Sequence, residues 1–257
     1  MFTGFRHTPV VFTSVKLRSR DFLELVVGYL LILTALWTPN QIQRILFGIA
    51  LVFIFTTTFF SREVDRQSLG LRVASPGGSL KVVLGAAGLA ACAFWISNRL
   101  GTLHVPAHVL RPGARFWMYL TWAFLQQFIL QDFFLLRLLR LSTSKTAAVL
   151  TSGFLFATAH IPNPVLVPAT WAWGLAACAL FVRYRDLYSL GLAHAIFGIT
   201  LSMSIPNSVH HQMRVGLGYL QYHEQPHPRN QSSHIVSTDA WVIAEAISRC
   251  FSRQARP

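Results

Sequence analysis

Apolar residues run along this chain in seven long blocks, at residues 22–37, 45–60, 82–97, 116–139, 147–161, 165–182 and 187–205, separated by polar or basic connections. About 20 apolar residues cross a bilayer core as a helix, so blocks of this length predict membrane spans that draw in a few boundary residues. The expected architecture is all-α: a polytopic transmembrane helix bundle of about seven spans. After residue 205 the pattern stops. The stretch "QYHEQPHPRNQSSH" is rich in turn and disorder formers, and "DAWVIAEAISRCF" reads as a short amphipathic helix on the membrane surface. The chain thus divides into an N-terminal segment (1–21), a transmembrane domain (22–205) and a polar, partly disordered tail (206–257). No internal repeat or second globular domain is visible.

Composition agrees with this reading. With 53% hydrophobic and only 12% charged residues, the chain falls outside the range of ordinary soluble domains, about a quarter of whose residues are charged. The net charge is +13, and all the basic residues except Lys16, Lys81 and Lys145 are Arg. They lie in short clusters between apolar blocks, as loops facing anionic headgroups do, and form no continuous stripe for nucleic acid. The bilayer is the expected partner, and no nucleic acid is. Arg6, Lys16, Arg18 and Arg20 precede block one; Arg62, Arg66, Arg72 and Lys81 separate two from three. Arg137, Arg140 and Lys145 follow block four, and Arg183 and Arg185 follow six. All of these share one side if the N-terminus is cytoplasmic, although Arg99, Arg111 and Arg115 run against the bias. The expected location is the plasma (inner) membrane. Cys92, Cys178 and Cys250 are far apart and imply no disulfide framework. Gly85 and Gly88 in "GAAGLAA", and the "WGLAACA" run, read as small-residue faces between spans.

Several polar residues interrupt these blocks. "FLQQFILQDFFLLRL" sets Gln126, Gln127, Gln131 and Asp132 in block four; "FLFATAHIPNP" ends block five with His160 and Asn163; "LGLAHAIFG" puts His194 in block seven. Polar groups inside a span are costly and tend to face the bundle interior, which makes them functional candidates, while glutamine and histidine also serve as hydrogen-bonding glue between helices. Gln127 and Gln131, four residues apart, share one helix face. Asp132 is read as the only carboxylate in the core, pointing about 120° away from Gln126, and is not expected to act as a base. Pro162 and Pro164 are expected to end span five, leaving His160 in its last turn. His210 and His211, with His223, His227 and His234, match no zinc spacing and read as solvated.

"QQFILQ", "FATAH" and "HAIFG" occur in the order of three motifs, EExxxR, FxxxH and HxxxN/D, and so resemble the CAAX-processing and bacteriocin-processing (CPBP) intramembrane endopeptidases. That family includes the type II prenyl-protein proteases and lysostaphin resistance protein A. The resemblance covers residues 116–205. It implies a hydrolase cleaving a peptide bond of a membrane-associated protein or peptide. In it Gln126 stands where the water-activating glutamate belongs, Gln127 at the second glutamate, Gln131 at the arginine, and Gly198 at the Asn or Asp. Phe156, His160 and His194 match outright. The implied catalytic set is His160, His194 and Gln126, supported by Gln127, Gln131, Phe156 and Asn163, with Gln126 or Asn163 offering an N–H to an oxyanion. A cavity lined by Gln126, Gln127, Gln131, His160 and His194 is expected.

A neutral amide accepts no proton at physiological pH, so a histidine must supply the base if the chain is a protease. The alternative is a catalytically inactive relative that binds a membrane peptide, lipid or partner protein. Two neutral imidazoles without a third ligand make a weak zinc site, and neither metal nor cofactor is expected.

Overall fold

In lipid every backbone N–H and C=O must find an internal partner, and helices meet that demand within one segment. The computed structural model describes residues 15–60, 69–72, 75–104 and 113–222, and in these residues all regular structure is helical. The elements are α1 (Val15–Leu36), α2 (Asn40–Phe59), α3 (Pro76–Leu100), α4 (114–141), α5 (Lys145–Thr158), α6 (Leu166–Tyr184) and α7 (Leu187–Ser204). Two short helices follow, α8 (Asn207–His210) and α9 (Gly216–Leu220), with a 3₁₀ turn between them. The fold is an all-α membrane bundle. Among the described residues four helices are long and apolar enough to cross a bilayer: α2, α3, α6 and α7. Large apolar side chains on α2 and α3, among them Val52, Leu84 and Leu89, point outward as lipid-facing residues do.

The helix starts follow local chemistry. Ser75 caps α3 by accepting from the Gly78 N–H, with Pro76 at the first helical position. Ser144 caps α5, and Asp186 caps α7 by accepting from the Tyr188 and Ser189 N–H groups. Asp186 also accepts the Ser79 hydroxyl, which ties the start of α3 to the start of α7.

Helix α4 is not uniform. An α-helical stretch, Ala114–Phe128, runs into a π-helical turn at Ile129–Leu135, and α-helix resumes over Leu136–Leu141. The Leu136 N–H reaches back five residues to the Gln131 carbonyl, which widens the helix where Gln131 and Asp132 lie. Upstream, α4 packs on α7: Gly191 leaves room for the Phe124 ring and Gly198 for Tyr119. Downstream, its basic side chains reach α1.

That contact with α1 corrects two expectations. Arg137 is no loop cation: it is buried and donates from Nε and Nη2 to Glu24 Oε2 at 3.0 and 2.8 Å, with Nη1 on the Phe133 carbonyl. Asp132 is therefore not the only buried carboxylate: Glu24 and Asp186 are buried as well. Arg140 forms a fork with Asp21, both contacts at 2.7 Å, and Arg18 donates to the Leu141 carbonyl. Residues 15–21, assigned to an N-terminal segment, are the first turns of α1, and Arg18 and Asp21 among them meet α4.

The glycine expectation holds for "WGLAACA", which contains Gly174, and fails for "GAAGLAA". Gly85 and Gly88 have no neighbouring atom where a Cβ would sit, so they form no packing face. The tight crossing is between α5 and α6, where a Cβ on Gly174 would lie 3.2 Å from the Gly153 Cα.

Chain order continues past residue 205. Gly216, at φ +56°, donates its N–H to the Ile161 carbonyl and lies against the Leu36 carbonyl, where a Cβ would come within 2.2 Å. Residues 206–222 thus close one end of the bundle, seated on the end of α1 and the α5–α6 turn. His210 and His211 belong to this segment and are not solvated: His210 is buried, and the His211 ring stacks on Tyr219 and Tyr222. The expected surface helix near the C-terminus, with His223, His227, His234 and Cys250, lies outside the described residues.

Candidate active site

The polar residues of α4, α5 and α7 meet around one cavity of about 800 Å³ with mainly apolar walls. Gln126, Phe156, His160, His194 and Gly198 line it, as do Tyr119 and Trp173. Gln127 and Gln131 do not. Both are fully buried behind the wall: Gln131 donates to Gln127 Oε1 at 3.1 Å, and Gln127 Nε2 donates to His194 Nδ1 at 2.9 Å. The cavity expected to hold all three glutamines therefore holds one, because neighbouring side chains on a helix diverge by about 100°.

The tautomer of His194 follows from how these amides are set. An amide N–H donating to His194 Nδ1 requires that nitrogen to be the acceptor, so in the neutral ring the proton sits on Nε2. His160 is set the other way. Its Nδ1 lies 2.7 Å from the Phe156 carbonyl, which only accepts, so Nδ1 carries the proton and Nε2 has the free lone pair. His160 itself sits in the turn just after α5 rather than in the helix's last turn. The Phe156 ring bears on both imidazoles edge to face, with centroids 4.9 Å from His160 and 5.9 Å from His194. Trp173 flanks His194 from α6. Two histidines, one on α7 and one in the turn after α5, thus share one aromatic contact.

Asn163 takes a different part from the one expected. Its amide N–H groups donate to the His210 and Arg214 carbonyls at 2.9 Å, and its Oδ1 accepts from the Val165 and Leu166 N–H groups. With every polar atom engaged it offers nothing to an oxyanion. It starts α6 and clamps residues 206–222 over the bundle end.

Asp132 lies in the π turn, 1% exposed, and neither oxygen accepts a hydrogen bond from a described residue. Arg185 acts on it through space, and the carboxylate does not line the cavity. Among the described residues no group of three or more His, Cys, Asp or Glu side chains is gathered as a metal site.

Tyr119 carried no signal as a lone aromatic in a span. The signal was the glycine at residue 198, a position where the third motif calls for an Asn or Asp side chain. An ideal Cβ on Gly198 would fall 1.6 Å from the Tyr119 hydroxyl oxygen, so that oxygen occupies the space the glycine leaves.

A sequence model of the family described as type II CAAX prenyl endopeptidase Rce1-like matches residues 113–200. The match spans α4 to α7, the helices that carry the three motifs, and supports assigning this part of the chain to the CAAX-processing membrane protease family. No curated protein and no solved structure matches the chain significantly.

Proposed function

We propose that this protein is an intramembrane endopeptidase that hydrolyses a peptide bond of a membrane-associated protein or peptide, with His160 as general base. The observation that carries this reading is the setting of two imidazoles on one cavity: His160 Nδ1 lies on the Phe156 carbonyl and His194 Nδ1 on the Gln127 amide, which supports a lone pair on His160 Nε2 and an N–H on His194 Nε2. His160 Nε2 takes the proton of the attacking water, and His194 Nε2–H meets the charge that develops on the carbonyl oxygen. Gln126 holds the water through its amide. The apolar walls suit a lipid-embedded segment of the substrate. The N-terminus and Lys145 face the cytoplasm of the inner membrane.

The test is digestion of a panel of membrane-tethered peptides by the purified full-length protein. Wild type should cleave, His160→Ala should lower the rate by about 10²- to 10⁴-fold, and Gln126→Ala, which removes a water-positioning amide and no base, should lower it less. A folded protein that retains peptides and cleaves none would make the cavity a binding site on a protease scaffold.

A further inference from the structure

We propose that the Tyr119 hydroxyl donates a hydrogen bond to the oxyanion of the reaction, standing where the third motif of the family places an Asn or Asp side chain. The assignment rests on the protease reading above. Gly198 follows His194 by one helical turn, and Tyr119 precedes Gln126 by two turns, about 20° around the axis, so each pair shares a helix face. Across the α4–α7 contact the Tyr119 oxygen fills the position of a side chain at residue 198. His194, Gln126 and the phenol therefore line the same cavity.

Space-filling alone would be served by Phe. A phenolic O–H in an apolar span ordinarily finds a partner, because an unmatched polar group in low dielectric is costly. Among the described residues none hydrogen-bonds to the Tyr119 hydroxyl. A partner arriving with the substrate accounts for the oxygen.

The step balances without any further reactant. Water oxygen attacks the carbonyl carbon as one water proton passes to His160 Nε2. The carbonyl π electrons move to oxygen, which accepts from Tyr119 O–H and His194 Nε2–H. On collapse the C–N bond breaks, and the proton held by His160 goes to the leaving amine. Tyr119 stays neutral throughout.

The experiment compares wild type, Tyr119→Phe and His160→Ala, each full length in proteoliposomes. Two readouts are used: cleavage of the tethered peptide panel, and affinity for a peptidyl phosphinate that mimics the tetrahedral intermediate. Tyr119→Phe keeps the ring and removes one oxygen. The expected result is a kcat lower by about 10²- to 10³-fold with KM little changed, and a comparable loss of phosphinate affinity with parent-peptide affinity preserved. Wild-type kcat and phosphinate affinity in Tyr119→Phe overturn the assignment; if His160→Ala still abolishes cleavage, the protease reading stands. A wild type that neither cleaves the panel nor binds the phosphinate overturns both.

Discussion

Gln126 and Gln127 are adjacent in sequence and differ in what they can do. Gln126 meets the cavity, while Gln127 is locked between Gln131 and His194. A carboxylate at residue 126 would add a base beside His160. Gln126→Glu is expected to raise the cleavage rate by up to about 10²- to 10⁴-fold, best in combination with Gln131→Arg, and Gln127→Glu should do less. Steady-state rates on the peptide panel decide this. The motif spacing made Gln126, His160 and His194 legible. The role of Asn163 was not, because its partners lie 47 and 51 residues downstream in a stretch without hydrophobic period. Arg137 was misread for a related reason: a charge near a block edge looks like a loop residue until its partner, 113 positions away, is known. Breaking the pair with Glu24→Gln leaves a buried guanidinium unmatched and is expected to cost about 3–5 kcal/mol. Replacing both residues with apolar ones of similar volume should cost little. Thermal unfolding in detergent separates these outcomes.

At the scale of elements, each of the seven apolar blocks appears as a helix, since block length and the caps Ser75, Ser144 and Asp186 are local features. The π turn gave no signal, because no Pro or Gly marks it and both forms carry the same residues. Likewise small residues alone did not tell Gly153 and Gly174, which touch another helix, from Gly85 and Gly88, which do not. The helices after residue 205 were hidden because their stability comes from seating on other elements. His210 is their pH-sensitive point. Burial holds its pKa below the ordinary imidazole value, opposed by its bond to the Ile205 carbonyl. Nε2 donates to that carbonyl and Nδ1 accepts from the Met213 N–H, an arrangement only the neutral ring supports. A lowered folded-state pKa means stability that is complete above about pH 6.5 and lost as pH falls through that value toward the folded-state pKa. The protection of the Met213 and Gly216 amides, measured as exchange relative to the intrinsic rate at each pH, should therefore fall between about pH 7.5 and pH 5, and His210→Gln should flatten that dependence.

For the whole molecule, several basic residues lie at one end. Arg18 and Arg140 join the start of α1 to the end of α4, and Ser79 with Asp186 joins α3 to α7 beside Arg183 and Arg185. The opposite end is the one closed by residues 206–222. Lys145→Cys is expected to react with impermeant thiol reagents only from the cytoplasmic side of oriented vesicles; labelling solely from outside would invert the topology. The wide turn in α4 bears on the register of the entire bundle. Upstream of it the helix is keyed to α7 through Tyr119, Phe124 and Gln127, and downstream to α1 through Arg137 and Arg140. An i→i+5 ring encloses one residue more than an i→i+4 ring, so the π turn holds a surplus residue that neither half needs for its fit. In evolutionary terms, the π turn is a place where one codon can be gained or lost without unseating either set of contacts.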